Sequence, residues 1–110
     1  MPMEMPATST KAKAAFDRVA EGLAEAGVGK GSMFGMPCLK ARGKAFAGLW
    51  GNSLVFKLTG DDHATALALK GAALFDPSGR DRPMKEWVVV PLAHSKGWDG
   101  LARAALDYVP

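Results

Sequence analysis

Residues 33–58, MFGMPCLKARGKAFAGLWGNSLVFKL, constrain the fold more than any other stretch, because three short apolar runs are separated there by two glycine-containing turns. Met33, Phe34, Met36 and Leu39 stand too close to Pro37 for a helix interior, where proline lacks a donor and clashes with the preceding turn. The spacing predicts an edge or bulged strand instead. Residues 41–44 (Ala-Arg-Gly-Lys) then predict a hairpin turn into a strand over 45–50, and Gly51-Asn52 a second, tight turn into a strand over 53–58. Leu54, Phe56 and Leu58 fall on one face of that last strand, Val55 and Lys57 on the other. Three strands joined in this way form an antiparallel meander.

The flanking segments have a different period. Thr8, Ser9 and Thr10 offer N-cap oxygens, and Phe16, Val19, Ala20 and Leu23 recur at helical spacing until Gly27 and Gly29 end the segment, with a Gly-Lys-Gly-Ser turn at 29–32. Asp61-Asp62 predict the cap of a second helix through Ala64, Leu67, Ala68 and Lys70, closed by Gly71. A short strand at Leu74-Phe75 and a turn at 76–79 lead through a charged loop over 80–83 to a strand over 85–90, rich in aromatic and β-branched residues. Ser95 is the predicted cap of a final helix carrying Trp98, Leu101, Ala102, Ala105, Leu106 and Val109. The order is α-β(3)-α-β(2)-α. The predicted fold class is a single α+β domain, an antiparallel sheet with helices over one or both faces, spanning residues 10–110 after a flexible leader at 1–9.

At 110 residues the chain has the size of one domain, able to bury roughly two-thirds of its unfolded surface. No apolar run is long enough for a bilayer, and the start of the chain lacks the pattern of a secretory signal, so a cytoplasmic location and no membrane partner are expected. One cysteine, Cys38, cannot close an intrachain disulfide, which fits a reducing compartment.

Few residues point to chemistry. With one Cys and two separated histidines, His63 and His94, no metal or cofactor site is expected, and both histidines read as solvated or hydrogen-bonded. Cys38 has no histidine near it in sequence and reads as a small buried hydrophobe. Residues 27–32, Gly-Val-Gly-Lys-Gly-Ser, superficially suggest a phosphate cradle, but a helix precedes them and a strand follows, the reverse of a nucleotide loop. The expectation is therefore a non-enzymatic protein.

Two surfaces stand out. A net charge of +3 and a pI near 9.2 permit an acidic partner, and Lys40, Lys57, Arg80, Arg82 and Lys85, with Arg42 and Lys44, form a basic patch if the hairpin turns and the 80–83 loop share one end of the sheet. No aromatic residues interleave these charges as they do on a single-strand stacking platform. Met33, Met36, Cys38 and Trp87 are the candidates for an adaptable apolar groove.

The Met33-Phe34-Gly35 step after the first helix, the hairpin over 44–58 and the MKEWVVVP strand over 84–91 resemble the TfoX N-terminal domain family, also called Sxy-like, over nearly the whole chain. YjbR-like proteins are the neighbouring resemblance. The family likeness implies an α-β(3)-α-β(2)-α domain and, through namesakes that regulate bacterial competence alongside a transcription factor, a regulatory role. It implies no catalytic residues, and the namesakes' second, helical domain is not expected here because the chain ends at Pro110. The combined expectation is a protein-interaction module, self-association through a strand edge included, with nucleic-acid binding through the basic surface as the alternative.

Overall fold

The computed structural model describes residues 8–33, 35–76 and 84–109. Helix α1, Thr10–Leu23, starts at Ser9, whose Oγ accepts the Ala12 N–H at 3.1 Å, while the Ser9 N–H donates to Asn52 Oδ1 at 2.8 Å. Its apolar stripe of Ala12, Phe16, Val19 and Leu23 is buried. A single 3₁₀ turn, Ala24–Ala26, ends in Gly27 at φ 84°, the left-handed conformation that favours glycine. The expected leader falls largely on residues 1–7, outside the described residues.

Next come β1 (Gly29–Met33), β2 (Met36–Ala41), β3 (Lys44–Trp50) and β4 (Ser53–Lys57), then α2 (Gly60–Leu67), β5 (Ala73–Phe75), β6 (Met84–Pro91), a 3₁₀ segment (Leu92–Gly97) and α3 (Trp98–Tyr108). The strands form one antiparallel sheet in the order β1-β2-β3-β4-β6-β5. The molecule is thus an α+β domain with helices packed on an antiparallel sheet, as expected, but four strands rather than three precede α2. The Gly-Lys-Gly-Ser stretch read as a turn is the outer strand β1, and β2, expected as an edge or bulged strand, lies inside it and pairs with β3 through an irregular register.

Turn chemistry sets the register. Arg42 and Gly43 both have positive φ, 52° and 77°, the pattern of a type I′ hairpin, and Ala41 faces Lys44 across it. In the Gly51-Asn52 turn only Gly51 is positive, at 58°, as in a type II′ hairpin, and Trp50 faces Ser53. Between β2 and β3 the register skips Phe46, since Leu39 pairs with Ala47 but Lys40 with Ala45. This bulge lets Phe46 and Ala47 both join the core beneath the helices.

All three helices contribute to that core. Phe16 and Val19 of α1, Ala66 of α2, and Trp98, Ala102 and Ala105 of α3 cluster with Leu39, Phe46, Leu54, Phe56, Val88 and Val90 of the sheet. Opposite-facing residues of β2, β4 and β6, joined by Phe75 of β5, form a second, smaller cluster of Met36, Val55, Phe75 and Trp87, with the Trp50 ring meeting Phe75 edge-on at 5.2 Å. Trp98 is fully buried, yet its Nε1 finds no hydrogen-bond partner among the described residues.

Two predicted caps are replaced by other arrangements. Helix α2 begins after Thr59, and Asp61 and Asp62 occupy its first turn, where they suit the positive end of the helix dipole without capping it. Ser95 lies inside the 3₁₀ segment, and α3 begins after Gly97 with no side-chain cap.

Candidate binding surfaces

The sheet register brings the described basic candidates to one end of the molecule. Lys40 pairs with Ala45 beside the Arg42-Gly43 turn, and Lys57 ends β4 opposite Trp87. Lys85 stands two residues before Trp87 at the start of β6, and Lys57 and Lys85 line the same hollow at this end of the sheet. At about 4.8 Å per strand, Lys40 on β2 and Lys85 on β6 are separated by roughly 14 Å, with β3 and β4 between them. Arg80 and Arg82 lie outside the described residues.

These cations differ in their surroundings. Lys85 is exposed, and its backbone carbonyl accepts from His63 Nε2 at 2.7 Å, which ties α2 to β6. The Lys57 ammonium lies 5.8 Å from the centre of the Tyr108 ring. Glu86 accepts the Tyr108 hydroxyl at 2.9 Å, and that bond, followed by the carboxylate's charge, holds the phenol above its ordinary pKa. Lys40 is half-buried because its chain runs across β1: a Cβ at Gly31 would lie 3.0 Å from both Lys40 Cδ and Cε. Glycine at this strand position makes room for the lysine stem.

Met36 and Cys38 are fully buried and Trp87 is 8% exposed, so they pack as interior residues; the Met33 side chain is outside the description. Trp87 also reaches a shallow hollow beside Lys57, Met84, Lys85 and Glu86. Burial pushes the Cys38 thiol up, against smaller downward effects from the Lys40 charge and a hydrogen bond with the Gly31 backbone. A neutral, enclosed thiol is a poor nucleophile. His94 Nε2 donates to the Lys70 carbonyl at 2.8 Å, so both histidines act as ties between elements. Among the described residues no three His, Cys, Asp or Glu side chains converge on a common point, and no helix is long and apolar enough to cross a membrane.

No protein-family model, curated protein or solved structure matches this chain.

The surface that sequence reasoning missed is the outer side of β1. Its inner side pairs with β2 through all five residues, while Gly29, Lys30 and Ser32 are exposed. No strand among the described residues pairs with its outer side. The opposite edge, β5, has only three residues. The signal for β1 was weak because two of its five residues are glycine, which contributes no side chain to a β pattern.

Proposed function

We propose that this chain is a small cytoplasmic, non-enzymatic protein-binding module that accepts an extended segment of a partner along β1, a second copy of itself being the simplest partner. The observation that carries the reading is the five-residue outer strand, paired on one side and presenting backbone donors and acceptors on the other. Only Lys30 on this strand carries a charge, and it is held back over α1 by its 2.7 Å ion pair with Asp17. A regulatory role, of the kind the TfoX-domain resemblance implies, belongs to the same proposal.

Light scattering across a concentration series, combined with hydrogen exchange of residues 29–33, tests it. Association with the protein itself or with a captured protein should slow exchange at those amides. A monomer at every concentration with no saturable protein ligand, or a complex that leaves residues 29–33 unprotected, rejects it.

A second reading is favoured by the gathering of Lys40, Lys57 and Lys85 at one end of the sheet. Such spacing suits successive phosphates of a nucleic acid. Fluorescence anisotropy with short DNA and RNA should then show affinity falling steeply with salt, and Lys57→Ala with Lys85→Ala should flatten the log–log slope by about 0.9 for each duplex-phosphate contact removed. No binding at low salt ends this reading.

A further inference from the structure

On the helix layer, away from both surfaces above, a groove of about 750 Å³ runs between α1 and the 3₁₀ segment. Lys11 and Arg18 stand seven residues apart on α1, two turns along the same stripe, with Ala14 and Ala15 between them. Leu92, Ala93 and Lys96 form the facing wall. The alanines and Leu92 make a low, apolar floor, and the three cations rise around it.

Charge at this groove is one-sided. Among the described residues no carboxylate lines it and none of its three cations is in an ion pair. By contrast, Asp17, adjacent to Arg18 in sequence, is turned to the other side of α1, where it binds Lys30 at 2.7 Å. The adjoining hollow holds Arg18 with Asp99 and Arg103, and Arg103 is oriented there by donating to the Gly22 carbonyl at 3.4 Å. Among the described residues Asp99 makes no ion pair with either arginine, so the Arg18 charge remains available to the groove.

We infer that the groove between α1 and the 3₁₀ segment binds an organic anion whose flat or acyl body rests on the Ala14, Ala15 and Leu92 floor while its acidic head meets Lys11, Arg18 and Lys96. Its volume falls within the range of small-molecule sites. The head supplies the charge that the groove lacks, and the body covers apolar surface that a bare inorganic ion would leave wet. Ser95, also on the lining, adds a hydroxyl for the head group.

The probe is 1-anilinonaphthalene-8-sulfonate, an aromatic body with a sulfonate head, compared with the uncharged N-phenyl-1-naphthylamine. Fluorescence titration of the intact chain should show one saturable site for the anion, weakened at least tenfold by Arg18→Ala with Lys96→Ala and by high salt. Lys44→Ala with Lys70→Ala, which changes the same charge elsewhere, should leave the affinity unchanged. In the unaltered protein, methyl resonances of Ala14, Ala15 and Ala93 should move on titration, so the site is located independently of any variant. Equal binding of the neutral probe, equal binding by the Arg18/Lys96 variant with native circular dichroism, or resonance changes confined to other residues would each overturn the assignment.

Discussion

Arg42 holds φ at 52°, the only positive value at a non-glycine residue among those described, and its Nη1 donates to the Val109 carbonyl at 3.3 Å. A non-glycine residue in that region carries about 1–3 kcal/mol of strain, and asparagine tolerates it far better. The bond to Val109 is long and exposed, so it offsets little of this. Arg42→Asn should therefore raise stability by about 0.5–1 kcal/mol in urea unfolding; a loss would mean that the tie to Val109 outweighs the strain. Cys38 and Tyr108 make a second prediction. Both groups have pKa values raised in the folded state, Cys38 chiefly by burial and Tyr108 chiefly by Glu86. The unfolded chain releases these protons at lower pH, so the stabilisation present below the ordinary thiol and phenol ranges is lost as pH rises through the raised values. Thermal melts should fall on the alkaline side, and Cys38→Ala with Tyr108→Phe should flatten that fall. A variant with an unchanged alkaline limb would place its cause elsewhere.

At the scale of elements, α1 depends on a start signal that the sequence offered at three adjacent positions. Only Ser9 of the three accepts the Ala12 N–H, and Asn52 in the β3–β4 turn takes up the Ser9 amide, so a turn distant in sequence selects the cap. Ser9→Ala should cost about 1 kcal/mol by denaturant unfolding, with Ser9→Asp retaining most of the stability. Equal losses in both variants would show that packing around the helix start, rather than the cap, sets the effect. Strands β3, β4 and β6 were legible because Phe46, Leu54, Phe56, Val88 and Val90 are large, apolar and placed on a buried face. Strand β1 was not, since two of its five residues are glycine and the Lys40 stem that packs across Gly31 comes from the neighbouring strand, a tertiary contact that local sequence does not record. The same applies to Ser95, a good cap residue drawn into a 3₁₀ segment by the path from β6 to α3. As for the surfaces, the shared end of Lys40, Lys57 and Lys85 was legible as a condition on turn placement. The groove at Lys11, Arg18 and Lys96 was not, because its two walls are distant in sequence.

Across the whole molecule, one sheet separates a large core under the helices from a smaller cluster behind it. Neighbours on β4 point into different ones: Leu54 into the first and Val55 into the second. Leu54→Ala should cost about 2–5 kcal/mol, a large share of the 5–15 kcal/mol typical of a domain. Because both clusters rest on the same strands, Leu54→Ala and Val55→Ala should each lower a single transition seen alike by far-UV circular dichroism and tryptophan fluorescence. Separate transitions would mean that the two cores melt independently.

The packing of α1 against α3 also bears on how the protein is made. Phe16 and Val19 are synthesised well before Trp98, Ala102 and Ala105, which complete their surroundings and follow roughly 80 residues later. At ordinary translation rates the first helix waits several seconds with its apolar stripe uncovered, even if the β2–β4 hairpins form behind it. The nascent chain is therefore an open substrate for chaperones until α3 clears the ribosome, and a stall before Trp98 would leave the sheet and α1 without the helix that packs on both.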